Sequence, residues 1–90
     1  MTIGEFTTAV AQYGMLMNAS VTSWGRTKAH NAAVGGVSYS GHRFWLGCDL
    51  VYDAPEPPSG VRQETAERLG LKLLVEGDHD HVQPLTWRAG

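Results

Sequence analysis

Residues 54–60 (Ala-Pro-Glu-Pro-Pro-Ser-Gly) constrain the fold more than any other segment, because they hold three of the chain's four prolines. Proline has no backbone donor for a sheet ladder, and Ser and Gly at the end of the run favour turns. We therefore expect a loop here, with helices and strands on either side of it. A short helix should follow, with Ser59 as its cap and Gly70 at its end.

Hydrophobic periodicity predicts the remaining elements. The first helix is the clearest, since apolar residues recur at helical spacing at Ile3, Phe6, Val10, Tyr13 and Met17. Helices are predicted at residues 3–18, 27–34 and 61–69, and strands at 20–24, 44–52, 71–76 and 79–83. The last two are either separate short strands or one strand interrupted by Gly77. The pattern predicts an α+β fold, in which a small antiparallel sheet packs against two or three helices in a single domain over residues 1–90.

Charge and cysteine content exclude several classes of protein. The net charge of −2 offers no basic surface for nucleic acid or for an anionic membrane. The single cysteine, Cys48, excludes an intrachain disulfide and a multi-cysteine zinc finger. Residues 1–18 contain Glu5 but no Lys or Arg, and no apolar run is long enough to span a bilayer. We therefore expect cytoplasmic synthesis without a signal peptide.

The first candidate site segment contains His42 and Asp49, which are seven residues apart. Imidazole nitrogen and carboxylate oxygen are both suitable zinc ligands. On one straight strand an odd separation places the two side chains on opposite faces. The pair can converge only if His42 precedes the strand or a bulge intervenes; otherwise it is a surface histidine and a strand-end aspartate that never meet.

The second candidate segment is Glu-Gly-Asp-His-Asp-His at residues 76–81. His79 and His81 are two residues apart, so on a strand both would point to one face. Combined with the first segment, they supply the three N/O ligands and the nearby acid that a catalytic zinc requires. A solvated acidic turn with two exposed imidazoles and no metal is the alternative.

In addition, the chain resembles the zinc D-Ala-D-Ala carboxypeptidase family, which includes phage L-alanyl-D-glutamate endopeptidases. The resemblance covers about two thirds of the chain. Its motifs, in order, are Val-Thr-Ser-Trp-Gly-Arg at 21–26, Asn-Ala-Ala-Val-Gly-Gly-Val at 31–37, Ser40-x-His42, Asp49 and His-Val-Gln at 81–83. Hedgehog signalling domains share this fold and metal site, so a non-catalytic zinc-stabilised binding domain is the alternative function.

The resemblance implies a Zn²⁺ ion held by His42, Asp49 and His81. It implies that Arg26 contacts the substrate or the oxyanion, which suits a permanent cation with forked donors. Asp78 would be the general base, three residues before the last ligand. His79 would hydrogen-bond the intermediate or the bound water, and Ser40 would touch substrate or orient a ligand.

A second register has the same spacing. In it, His79 is the ligand and Glu76 the base, instead of His81 and Asp78. We favour the register with His81 because Val-Gln follows it, as in the family. The chain departs from the family at Trp45, where a glycine is usual; this side chain either reshapes the wall beside the metal or fills the core.

These features predict a monomeric zinc peptidase that cuts an amide bond in bacterial peptidoglycan, as an endolysin-like enzyme or a carboxypeptidase. No nucleic-acid or membrane partner is expected, and the enzyme would act on the cell wall after its release from the cell.

Overall fold

The computed structural model describes residues 1–25, 27–34 and 45–86. Its elements, in chain order, are α1 (Ile3–Met17), β1 (Ala19–Ser23), α2 (Lys28–Ala33), β2 (Cys48–Tyr52), α3 (Ser59–Arg68), β3 (Leu71–Glu76) and β4 (His79–Pro84). The four strands form one antiparallel sheet in the order β1-β2-β4-β3. The predicted α+β class is therefore confirmed. None of the helices in the described ranges is long and apolar enough to cross a membrane.

Helix α1 is fixed at both ends by side chains close to it in sequence. The Thr2 hydroxyl accepts from the Glu5 amide while the Glu5 carboxylate accepts from the Thr2 amide, which forms a capping box. Asn18 ends the helix in the left-handed conformation. Gly14 is tolerated inside the helix because the chain returns closely: a Cβ there would lie 3.2 Å from the Ala19 carbonyl oxygen.

The core lies between the helices and one face of the sheet, which we call the core face. Its fully or almost fully buried members are Phe6, Ala9, Val10, Tyr13, Cys48, Leu50, Ala66, Leu71, Leu73 and Val82. Cys48 is a free cysteine that is fully buried, and it packs there as a small hydrophobic residue. Ile3, by contrast, is 54% exposed although it continues the apolar spacing of α1, because it lies in the first turn of that helix.

Two local predictions were wrong. The strand predicted from residue 44 begins only at Cys48, since Trp45 has a left-handed φ of 62° that an extended strand cannot contain. Trp45 does not fill the core: it is 51% exposed, and its ring lies so close to Gly25 that a Cβ there would overlap it. Ser59 is the first residue of α3 rather than its cap, and Pro58 at the cap position makes no side-chain capping bond.

Strands β3 and β4 form a tight hairpin, in which Glu76 pairs with His79 across a two-residue turn. Gly77, the first turn residue, has φ 73°. This matches a type II′ turn, which requires glycine at that position and suits the twist of the two strands. The hairpin therefore places the histidine-rich segment at the start of β4, directly beside the end of β3.

Candidate metal centre

Asp49 and His81 lie directly opposite each other on neighbouring strands, β2 and β4. Because side chains alternate along a strand, His79, His81 and Gln83 share the face of the sheet opposite the core face. Pairing of Glu76 with His79 adds a further carboxylate at the edge of this group. We call the face of the sheet opposite the core face the site face, and it brings together residues from both candidate segments.

The two oxygens of the Asp49 carboxylate each have an imidazole nearby. His81 Nδ1 is 3.1 Å from Oδ1, and His79 Nε2 is 3.9 Å from Oδ2. The same His79 nitrogen lies 3.5 Å from Glu76 Oε1. Asp49 is therefore the centre of the group, with His81 on one side of its carboxylate and His79 and Glu76 on the other.

The outer nitrogen of each imidazole is held by a separate oxygen. His79 Nδ1 lies 2.9 Å from Asp78 Oδ1, and His81 Nε2 lies 2.9 Å from Gln83 Oε1. Metal-binding histidines usually have such an oxygen on the nitrogen that does not bind the metal, because this bond fixes the ring's orientation and tautomer. The inner nitrogens, His79 Nε2 and His81 Nδ1, are thereby directed towards Asp49.

Electrostatics favour the charged forms of His79 and Asp78. The hydrogen bond to Asp78 raises the pKa of His79; burial opposes this shift, and the nearby charges of Asp49, Asp78 and Glu76 add to it. The hydrogen bond from His79 in turn holds the pKa of the Asp78 carboxyl below its usual value. Three carboxylates, Asp49, Glu76 and Asp78, thus surround His79, and their negative charges favour a nearby cation.

The spacing of these atoms would accommodate a metal ion and is not specific to zinc. With ligand bonds of 2.0–2.1 Å and tetrahedral angles, two ligand atoms of one ion lie about 3.4 Å apart. Asp49 with His81 and His79 with Glu76 are close to that separation at 3.1 and 3.5 Å. Among the described residues, Asp49, Glu76 and His79 have ligand atoms that all lie within 4.8 Å of one another. The donor set, imidazole and carboxylate, is one that zinc accepts.

Of the predicted site residues, the structure brings Asp49, His79 and His81 together. The Asp78 side chain is 98% exposed, and its carboxylate contacts the outer nitrogen of His79 rather than Asp49. Both registers of the second segment remain, since His79 and His81 each lie beside Asp49. Three predicted residues, Arg26, Ser40 and His42, lie outside the described residues.

Asp80, which the sequence groups with the acidic residues of the site, instead points into the core face. It is 2% exposed, ion-pairs with Arg62 of α3 and accepts a hydrogen bond of 2.7 Å from the Tyr52 hydroxyl. Tyr52 is also hydrogen-bonded to Tyr13 at 2.7 Å. The alternation of side chains along a strand could have predicted this position. Asp80 lies between two histidines of the site face, so its carboxylate must lie on the core face and needs a buried partner there.

The sequence pointed to Gln83 only as part of the His-Val-Gln motif, and its contact with His81 was not predicted. Gln83 lies two residues beyond His81, so the same alternation placed it on the site face.

No protein-family model, no curated protein and no solved structure matches this chain.

Proposed function

We propose that this chain is a zinc-dependent peptidase that hydrolyses an amide bond in bacterial peptidoglycan peptides. One observation carries the metal part of the proposal: two imidazoles with oriented rings converge on a single carboxylate, Asp49, from an adjacent strand. The peptide-bond chemistry and the substrate class come from the resemblance of the motifs to the D-Ala-D-Ala carboxypeptidase family.

In this proposal Asp49 and His81 hold the ion, together with His42. His81 is preferred to His79 for three reasons: its side chain is only 9% exposed against 33%, it lies directly opposite Asp49, and it is nearer to the carboxylate. A ligand on the interior of a sheet is held more rigidly than one beside a turn, and rigidity of the ligand shell favours tight binding.

A bound zinc ion would polarise the scissile carbonyl and make an attacking water more acidic. Asp78 and His79 then form a proton-transfer pair. Asp78 accepts the Nδ1–H of His79, so Nε2 faces the site at 3.5 Å from Glu76 and can take a proton from water and return it to the leaving amine. Asp78 thus acts through His79, and Arg26 and Ser40 are proposed to bind the substrate.

The metal is tested first, with purified protein, by elemental analysis and by thermal unfolding with zinc and with a chelator. Zinc should bind and raise Tm, since a ligand specific for the folded state stabilises it. His81→Ala should abolish binding, whereas His79→Ala should retain it and lose activity. If His79→Ala loses the metal and His81→Ala keeps it, the other register is the correct one. A wild-type chain that binds no zinc would overturn the proposal.

Activity is tested by mass spectrometry of purified peptidoglycan incubated with zinc-loaded protein, with and without chelator. A chelator-sensitive new amine would identify the bond that is cut. Asp78→Ala and Glu76→Ala should be compared with Glu67→Ala, an exposed carboxylate on α3. His79→Ala removes the proposed general base and should lower kcat by about 10²-fold or more, and Asp78→Ala, which leaves His79 Nδ1 without its acceptor, should also lower it. Full activity in both acid variants would contradict the mechanism, and intact peptidoglycan with zinc-loaded protein would favour a non-catalytic binding domain.

A further inference from the structure

Gln83 on β4 contacts His81, a proposed metal ligand, through the ring nitrogen that is not next to Asp49. It lies on the site face, paired with Lys72 of β3, and its side chain is half-buried. Its Oε1 is 2.9 Å from His81 Nε2, on the side of the ring away from Asp49. The ring of His81 therefore lies between two oxygen atoms, one on each nitrogen.

A neutral imidazole has one N–H donor and one lone pair, so it can donate to only one of these oxygens. With the Gln83 carbonyl oxygen as acceptor, Nε2 carries the hydrogen and Nδ1 presents its lone pair to Asp49 Oδ1. A lone pair facing a carboxylate at 3.1 Å is unfavourable unless a cation lies between them. In the other tautomer Nδ1–H donates to Asp49. That hydrogen bond engages His81 Nδ1 and Asp49 Oδ1, the two atoms that would otherwise bind the metal.

We propose that Gln83 is a positioning residue that holds the proton of His81 on Nε2, so that the imidazole binds the metal through Nδ1. This inference rests on the proposed metal centre. The Gln83 carbonyl stabilises the tautomer that is ready for a cation and disfavours the one in which Asp49 and His81 close on each other. Removing it weakens metal binding without removing a ligand. Loss of the hydrogen-bond partner of a metal-binding histidine typically lowers metal affinity by about 10–100-fold.

Three variants separate this role from general packing. Gln83→Leu removes the acceptor at similar size, Gln83→Glu keeps an oxygen on Nε2, and Gln63→Leu is the same change at an exposed position of α3. Zinc affinity is measured by competition with a chelator, after circular dichroism has shown that each metal-free variant is folded. We expect Gln83→Leu to bind zinc about tenfold or more weakly, with Gln83→Glu and Gln63→Leu as tight as wild type.

A second readout needs no variant and no activity. Isotope-labelled cadmium in protein with labelled histidine should show scalar coupling to His81 Nδ1, with a proton retained on Nε2. Coupling to Nε2, or wild-type affinity in Gln83→Leu, would overturn the role of Gln83 and leave the metal centre standing. Failure of the wild type to bind zinc or cadmium would instead overturn the metal centre, and the positioning role with it.

Discussion

The ion pair of Arg62 and Asp80 provides the most direct test of how β4 is held. Both side chains are buried, at 7% and 2% exposure, and the Arg62 Nε has no acceptor among the described residues. Burial opposes the charged form of Arg62, but the hydrogen bond and charge of Asp80 outweigh it and raise its pKa. The guanidinium also lies 5.1 Å from the centre of the Tyr52 ring. Replacing Asp80 would leave this cation without its buried counter-charge.

We expect Asp80→Asn to destabilise the protein by about 3 kcal/mol. Removing one partner of a buried pair costs about 3–5 kcal/mol, and the lower end applies because the amide oxygen can still accept from Arg62 and Tyr52. For a domain of this size, about 3 kcal/mol corresponds to a fall in Tm of roughly 12 to 24 °C. Thermal and urea unfolding followed by circular dichroism would measure both quantities.

Two controls show whether the burial of the charge is the cause. Glu64→Gln breaks the exposed i,i+4 pair with Arg68 and should cost only about 0.5 kcal/mol. The double variant Arg62→Met with Asp80→Leu removes both charges and should regain most of the lost stability, as hydrophobic replacements of buried pairs often do. If Asp80→Asn costs no more than Glu64→Gln, the buried pair does not stabilise the fold and the reasoning is refuted.

Three further outcomes follow from the structure. Gly77→Ala should cost about 1 kcal/mol in urea unfolding because its φ of 73° disfavours any side chain; a neutral effect would contradict the turn assignment. In metal-free protein, NMR titration should give His79 a raised pKa that falls back in Asp78→Asn. The raised pKa means that protonated His79 stabilises the fold below about pH 6.5, and this stabilisation is lost as the pH rises through the pKa of His79 in the folded protein. The stabilities of wild type and Asp78→Asn should therefore differ more at low than at high pH. Cys48 should resist thiol reagents until unfolding, since burial and the charge of Asp49 raise its pKa to about 12; rapid labelling would contradict its burial.

The described helices and strands were largely predictable because their patterns are local. The apolar spacing of α1, the glycine that follows α3 and the Gly-Asp turn of the β3–β4 hairpin each determine an element within a few residues. The start of β2 was not predictable, because apolar residues continue upstream through Trp45 while the backbone turns away. Hydrophobic periodicity indicates which residues are apolar, but it does not indicate the backbone φ that a residue such as Trp45 adopts.

The candidate site was predictable in its residue types but not in its contacts. Alternation placed His79 and His81 on one face, and that holds in the sheet. Asp49 and His81 are 32 positions apart in the sequence. Their direct opposition depends on the register between β2 and β4, which no local pattern specifies. Asp80 was grouped with the acidic site residues in the sequence, although alternation along β4 already places it on the core face.

The two sets of side chains on β4 are connected through this register. His79, His81 and Gln83 occupy the site face, while Asp80 is tied to Arg62 beneath it. A slip of one residue would exchange the faces and set an imidazole against the buried guanidinium, with Asp80 exposed on the other side. Among the described residues Arg62 also lies 3.9 Å from Glu56, but that carboxylate is exposed, so the buried counter-charge of Arg62 is Asp80 in the native register. Buried polar and ionic groups fix the register in some proteins, and we infer the same role for Arg62, which would align β4 and thereby bring His81 opposite Asp49.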